Sequence, residues 1–294
     1  MSANAQRVVG AAHVNSSRSR AVRALLGNRV TILGLVIVVA ALLLALVGPF
    51  LNPFDPNDVN PLGRLQGPSA KHWLGTDQFG RDILSRIISG AAVSLGVSVS
   101  AVAAAMVLGV SLGTLAGYFG GLIDDILMRI VDIVMAFPYI VLAIALAAAL
   151  GPSTSNVVLI IAIIRLPMFA RVSRGAVLAI RENDFVSAAR ALGSPQWRVI
   201  LRHILPNSLT SIVVVAALSI AAAINTEAAI SFLGLGISPP QASWGNMLAD
   251  AQNYILTVPS LGIAPGVVIS VTVLGFQLFG DGLRDLLDPR LRAR

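Results

Sequence analysis

The sequence predicts an all-α integral membrane protein with six transmembrane helices, and three observations carry that prediction. Of 294 residues, 56% are hydrophobic and 12% charged, about half the charged share of a soluble domain. The apolar residues gather into runs of about 20, the length a helix needs to cross hydrocarbon with its backbone hydrogen bonds closed internally. Most of the Lys and Arg residues fall between those runs, in one alternating set of loops. A soluble globule could not keep so much apolar surface from water, so a disordered chain, a disulfide scaffold and an ordinary soluble enzyme are excluded. The absence of cysteine removes thiolate metal sites, iron–sulfur clusters and Cys nucleophiles.

The formal charge is +7, from 21 Lys and Arg against 14 Asp and Glu. Basic loops facing anionic membrane lipid account for it, and no nucleic acid partner is expected. Residues 1–29 form a polar, Arg-bearing leader without the pattern of a cleavable signal. The first span is VTILGLVIVVAALLLALVGPFL, 30–51. An external loop follows over 52–88, where Pro53, Pro56, Pro61 and Pro68 deny a helix of useful length. In that loop Asp55, Asp58, Asp77 and Asp82 offset Arg64, Lys71, Arg81 and Arg86.

The remaining five spans form a core over 89–280. The second span covers 89–117, and Gly109, Gly113, Gly117 and Gly121 recur every four residues along it. That spacing bares one helix face so that another helix can approach closely, as a static or a moving contact. After a turn at Gly120-Gly121 the third span runs 124–149, with Phe137-Pro138-Tyr139 placed to kink it. Arg129 and Asp132 are spaced to pair on one face of that helix. The fourth span, 156–175, is interrupted by Arg165 and Pro167; the fifth covers 208–233, the sixth 259–280, and a tail 281–294 follows. The leader, the segment 165–203 and the tail hold most of the basic residues, so both termini are expected in the cytoplasm.

The segment RENDFVSAARALGSPQWRVILRHILPN, 181–207, is punctuated as two short helices over 184–205. Asn183 or Asp184 caps the first, and Gly193 suits its left-handed stop. Ser194 caps the second with Pro195 at its first position, and Pro206 ends or bends it. Helices this short need a docking surface. Arg190, Arg198 and Arg202 face water or a partner, while Val199, Ile200 and Ile204 offer an apolar edge.

This segment resembles the EAA loop of ABC importer permeases: Ala188, Ala189, Gly193, Leu205 and Pro206 match, with Ser187 in place of the acidic residue and His203 in place of an isoleucine. HWLGTDQFGRDILSR at 72–86, EAAISFLGLGISPPQASWGNML at 227–248 and GDGLRDLLDPR at 280–290 resemble the dipeptide/oligopeptide/nickel branch, and within it the C-type permease. The resemblance implies the type I ABC importer transmembrane-domain fold in a multi-pass bacterial inner-membrane protein. It also implies a path shared with a second, B-type permease, two cytoplasmic ATP-binding subunits and an extracytoplasmic substrate-binding protein. Ser187, Ala188, Ala189, Gly193, Arg198, Leu205 and Pro206 then form the loop that couples to the ATPases. The chain has no G-x-x-x-x-G-K-[ST] loop, so ATP and Mg are expected on the partner subunits and no cofactor on this chain.

Glu227 is the one carboxylate inside the fifth span, where an ionised acid costs about 2.5–3.5 kcal/mol. Two placements are open: lining the substrate path with Asn225 and Thr226, or pairing with a neighbouring subunit near the outer helix end. An autonomous secondary transporter using Glu227 as an ion or proton site is the alternative function, although such folds show matching interrupted helices. Pro239, Pro240 and Trp244 are candidates for the external mouth, either as a scoop under a binding protein or as an interfacial anchor. No catalytic constellation is present, and His13, His72 and His203 lack metal-ligand spacing, so neither an enzyme nor a metal site is expected.

Overall fold

The computed structural model describes residues 28–287. Most of the expected leader, 1–27, and the end of the tail, 288–294, lie outside the described residues. The described part is helical, with Thr76 and Asp82 forming an isolated antiparallel bridge. Helix α1 is Arg29–Val47, started by Asn28, whose side chain accepts from the Val30 N–H at 3.0 Å. Helix α2 is Ile83–Phe119, α3 Gly121–Met135, α4 Tyr139–Leu150 and α5 Thr154–Arg181. Helix α6 is Asp184–Ala191, α7 Gln196–Val199, α8 Leu205–Phe232, α9 Trp244–Ala251 and α10 Ser260–Leu287.

Among the described residues five stretches are long and apolar enough to cross a membrane: Arg29–Phe50, Ile83–Phe119, Thr154–Arg181, Gln196–Phe232 and Ser260–Leu286. The sixth expected span is α3 followed by α4, which meet at 86°. The kink read from Phe137-Pro138-Tyr139 is therefore a full break. Proline has no N–H to donate back, and it disfavours helical dihedrals in the residue before it.

Several boundaries move for local reasons. The second span begins at Ile83 instead of near residue 89, because Asp82 caps it by accepting from the Ser85 N–H at 2.8 Å. The preceding loop is folded rather than merely charge-balanced. Asp77 accepts from Arg81 at 2.6 Å, Arg86 lies 3.5 Å from the same carboxylate, and His72 meets Asp82 at 2.9 Å. Pro206 does not end the second short helix. A π segment, Ile200–Ile204, joins α7 to α8 into one helix of 37 residues. Its wider turn, with Leu205 N–H bonded to the Ile200 carbonyl, leaves room for the proline ring directly behind it.

The core is built on close backbone approach. Helices α2 and α5 lie against each other through Gly109, Gly113 and Gly117. A Cβ on Gly113 would overlap the Ala170 backbone, one on Gly109 would stand 2.6 Å from the Leu166 carbonyl, and one on Gly117 3.0 Å from that of Arg174. Gly121 opens α3 instead of lying on this face, with open space around it and φ +52°. Helices α1 and α10 meet in the same way, Gly34 against Phe279 and Gly275 against Ile37. In a membrane, where apolar burial adds little to helix association, such contacts supply the packing. Arg129 and Asp132 do not pair; Asp132 binds Arg171 of α5 at 2.7 Å instead, so the link joins two helices.

Candidate functional site

Helix α6 and the α7–π segment meet at one end of the bundle. Val186, Ala189, Val199 and Ile204 are buried there against Tyr118 of α2 and Val177 of α5. That packing leaves Ser187, Ala188, Arg190 and Arg198 on the outside. Gly193 has φ +77°, and the Ser194 N–H bonds back to the Ala189 carbonyl at 3.1 Å. This is a Schellman stop, which turns the chain sharply where a side-chain-bearing residue would be strained. Pro195, not Ser194, occupies the cap position of the next helix.

The outer rim of this end is apolar as well as basic. Phe185, Leu192, Trp197 and Leu201 are exposed, Leu192 by 87%. Arg190 lies 5.0 Å over the Tyr118 ring and Arg198 5.3 Å over Trp197. Leu205 is half-buried and Pro206 exposed on the adjoining turn. Exposed apolar groups ringed by arginines are the makings of a protein interface. The bundle holds this end firmly. Arg181 donates to the Gly117 carbonyl at 2.8 Å, and Arg174 binds Asp124.

Glu227 is fully buried on α8. Its Oε1 accepts from Ser231 at 2.8 Å, one turn along the same helix, while Oε2 has no hydrogen-bond partner among the described residues. It takes neither placement expected for it: the carboxyl is enclosed by this chain. Asn225, two residues away, lies on the exposed face of α8. The two therefore do not share one surface.

Trp244 is likewise not at an open mouth. It is fully buried, with its indole Nε1–H donating to the Ile87 carbonyl at 3.0 Å and its backbone N–H to Ser94 at 3.1 Å. Ser243 and Asn246 cap α9 reciprocally, and a Cβ on Gly245 would stand 2.7 Å from the Ala228 Cα. Thus Trp244 pins α9 between α2 and α8, in place of the anchor at headgroup depth. Pro239 and Pro240 do remain exposed on the loop leading into it.

One residue matters more in the structure than in the sequence, where it appears as an interruption. Arg165 lies near the middle of α5 and reaches across to α8, donating through Nη2 to the Ala222 carbonyl at 3.0 Å and to Thr226 at 3.1 Å. Its Nε is buried without a partner among the described residues. Beside it, the break between α3 and α4 opens a cavity of about 270 Å³ lined by Met135, Phe137, Tyr139, Ile164, Pro167 and Met168. An arginine at the centre of a span costs about 2.5–3.5 kcal/mol on insertion scales, which was the signal available. Among the described residues no three His, Asp or Glu side chains gather as a metal site requires.

The sequence and the fold both have relatives. Residues 109–293 match the model of binding-protein-dependent transport system inner membrane components, and 16–68 match the N-terminal transmembrane domain of oligopeptide transport permease C. The chain is 47% identical over 266 residues to the dipeptide transport system permease protein of Alkalihalophilus pseudofirmus, covering 90% of this chain and 88% of that one. It is 45% identical to the probable D,D-dipeptide transport system permease protein of Escherichia coli, covering 90% and 89%, and 43% identical to the glutathione transport system permease protein of Pectobacterium atrosepticum, covering 92% and 90%. Among solved structures, an inward-facing form of the MetNI methionine ABC transporter aligns with TM-score 0.56 at 17% identity, over 69% of this chain and 97% of that chain.

Proposed function

Because the chain belongs to the binding-protein-dependent transport system inner membrane components, the permease subunits of ABC importers, we propose that it forms one half of the translocation path of a peptide importer. The other half is a second, homologous permease. Two cytoplasmic subunits bind ATP and Mg and dock on the end of the bundle made by α6 and the α7–π segment. A substrate-binding protein delivers solute on the opposite side. Both termini then lie in the cytoplasm, in keeping with the basic residues of 165–203.

The observation that carries this reading is the rim of Phe185, Leu192, Trp197 and Leu201 around a helix anchored on α2 and α5. A rigid element with exposed apolar anchors transmits motion from a partner, whereas a loose loop would absorb it. Ser187, Ala188 and Arg198 give that element its outer face, Ala189 its seat on the bundle, Gly193 its turn, and Leu205 and Pro206 its join to α8. Dipeptides and peptide-like solutes are the cargo, by the kinship with dipeptide and glutathione permeases at 43–47% identity.

Co-purification tests the reading. When all subunits are expressed together, the ATP-binding subunits should stay with this chain through detergent extraction. Leu192→Asp with Trp197→Asp should release them and leave the second permease bound. Retention of the ATP-binding subunits by that double variant would overturn the assignment of the docking face.

A further inference from the structure

We infer that Arg165, which stands beside Tyr139 in the wall of the cavity opened by the α3–α4 break, binds the carboxylate of the transported solute. The inference rests on the peptide-importer reading and adds a residue and a ligand group to it.

Four arginines of α5 can be compared directly. Arg171 pairs with Asp132, Arg174 with Asp124 and Arg181 with Glu182. Arg165 has no carboxylate within 4.0 Å among the described residues. It is also the one placed deepest along the helix, twelfth in a span of 28 residues. Arginines within a span face a protein interior or a water-filled cavity and find a partner there. Two hydrogen bonds to α8 hold this guanidinium in place while leaving donors free and its charge uncompensated.

Its surroundings suit a small, partly apolar acid. The Tyr139 ring centroid is 6.0 Å from the guanidinium carbon, and Tyr139, Phe137, Met135 and Met168 all expose their side chains along the cavity. Helix α4 begins at Tyr139 in the same wall, with no side chain capping its first turn. The partial positive charge of that turn adds to the attraction for an anion, as in the broken helices of other transporters. A fork of N–H donors matches a carboxylate in geometry as well as charge. Such a group is common to free-acid dipeptides, longer peptides and glutathione. Contact with it would let one path serve solutes that differ elsewhere, and it would be made and broken in each cycle because no fixed acid competes.

The test uses the complete importer reconstituted in vesicles with its binding protein, and dialanine as the probe. Arg165→Gln should lower dialanine uptake at least tenfold while ATPase stimulated by the loaded binding protein stays within about twofold of the unmodified importer. Arg165→Lys, which keeps a cation without the fork, should recover part of the uptake. Unchanged uptake by Arg165→Gln would overturn the inference and leave the permease reading standing. Uptake and ATPase falling together would overturn it too, by showing that Arg165 only joins α5 to α8. An unmodified importer that hydrolyses ATP but moves neither dialanine nor glutathione, used as a second probe, would remove the peptide reading, and this inference with it.

Discussion

Arg174 of α5 grips Asp124 of α3 with both prongs of its guanidinium, Nε to Oδ1 and Nη2 to Oδ2, each at 2.5 Å. Two turns further along α5, Arg181 holds the carbonyl of Gly117 near the end of α2, and α6 opens at Asp184 just beyond. The helix that leads directly into the proposed docking element is thus attached by arginines to two other helices. Displacement of α6 by a bound partner would be passed to α2 and α3 through these contacts.

Breaking that fork should therefore loosen the bundle end. Asp124→Asn removes the charge and one strong acceptor, and a charge-assisted hydrogen bond of this kind contributes about 1.5–3 kcal/mol. Partial exposure of Arg174 moves the expectation to the lower part of that range. A thermal scan of the purified assembly should show a fall of a few degrees. Exchanging the pair, Asp124→Arg with Arg174→Asp, should recover part of it.

The α2–α5 contact should tolerate nothing larger than hydrogen at Gly113. Gly113→Ala places a methyl group into the Ala170 backbone, an overpacking that costs about 1–3 kcal/mol. Gly175, on α5 with open space around it, serves as the control. Gly175→Ala should be neutral or stabilise by up to about 1 kcal/mol. The folded fraction after detergent extraction separates the two variants, and equal yields would count against a tight contact.

Trp244 should behave as a core residue. Trp244→Phe loses the bond to Ile87 at a cost of about 1 kcal/mol, and Trp244→Ala should cost about 3–5 kcal/mol through the cavity left. Trp73 and Trp197 are exposed whereas Trp244 is not. A variant with only Trp244 should then emit at short wavelength and resist acrylamide quenching. Emission typical of a hydrated indole would contradict the placement.

Glu227 separates an ATP-driven permease from a proton-coupled carrier. Its carboxyl is fully enclosed and bonded to Ser231, and Glu227→Gln keeps the shape and that acceptor. Uptake by the variant should remain at least half that of the unmodified importer and should be insensitive to a proton uncoupler. Abolished uptake, together with uncoupler sensitivity of the unmodified importer, would favour the carrier.

Much of this fold was legible because membrane insertion writes itself into composition. Long apolar runs with few charges place the spans, and the period-four glycines of α2 mark a face that does lie against backbone. Gly193 announced its own turn, since few residues other than glycine take a positive φ at a helix end. The misreadings share a cause: sequence spacing shows neighbours along one helix but not the helix alongside. Spacing matches Asp132 to Arg129, three residues away, whereas its partner in space is Arg171 on α5. Both expectations for Trp244, a scoop at the external mouth or an interfacial anchor, put it at the surface, because nothing local reveals that α9 folds inward against Ile87. Arg165 was visible only as a blemish in a span, until the α3–α4 break placed a cavity beside it.

If α6 and the turn after it convert ATP hydrolysis into transport, a change at Gly193 should separate the two. Its φ of +77° is strained for a residue with a side chain, at about 1–2 kcal/mol. Gly193→Val should therefore reshape the docking face while leaving the spans in place. Uptake and ATPase would be measured together in the reconstituted importer, with subunit stoichiometry checked on the same preparation. The account predicts an intact assembly that hydrolyses ATP with uptake reduced at least tenfold. Normal uptake by an intact Gly193→Val importer would contradict it.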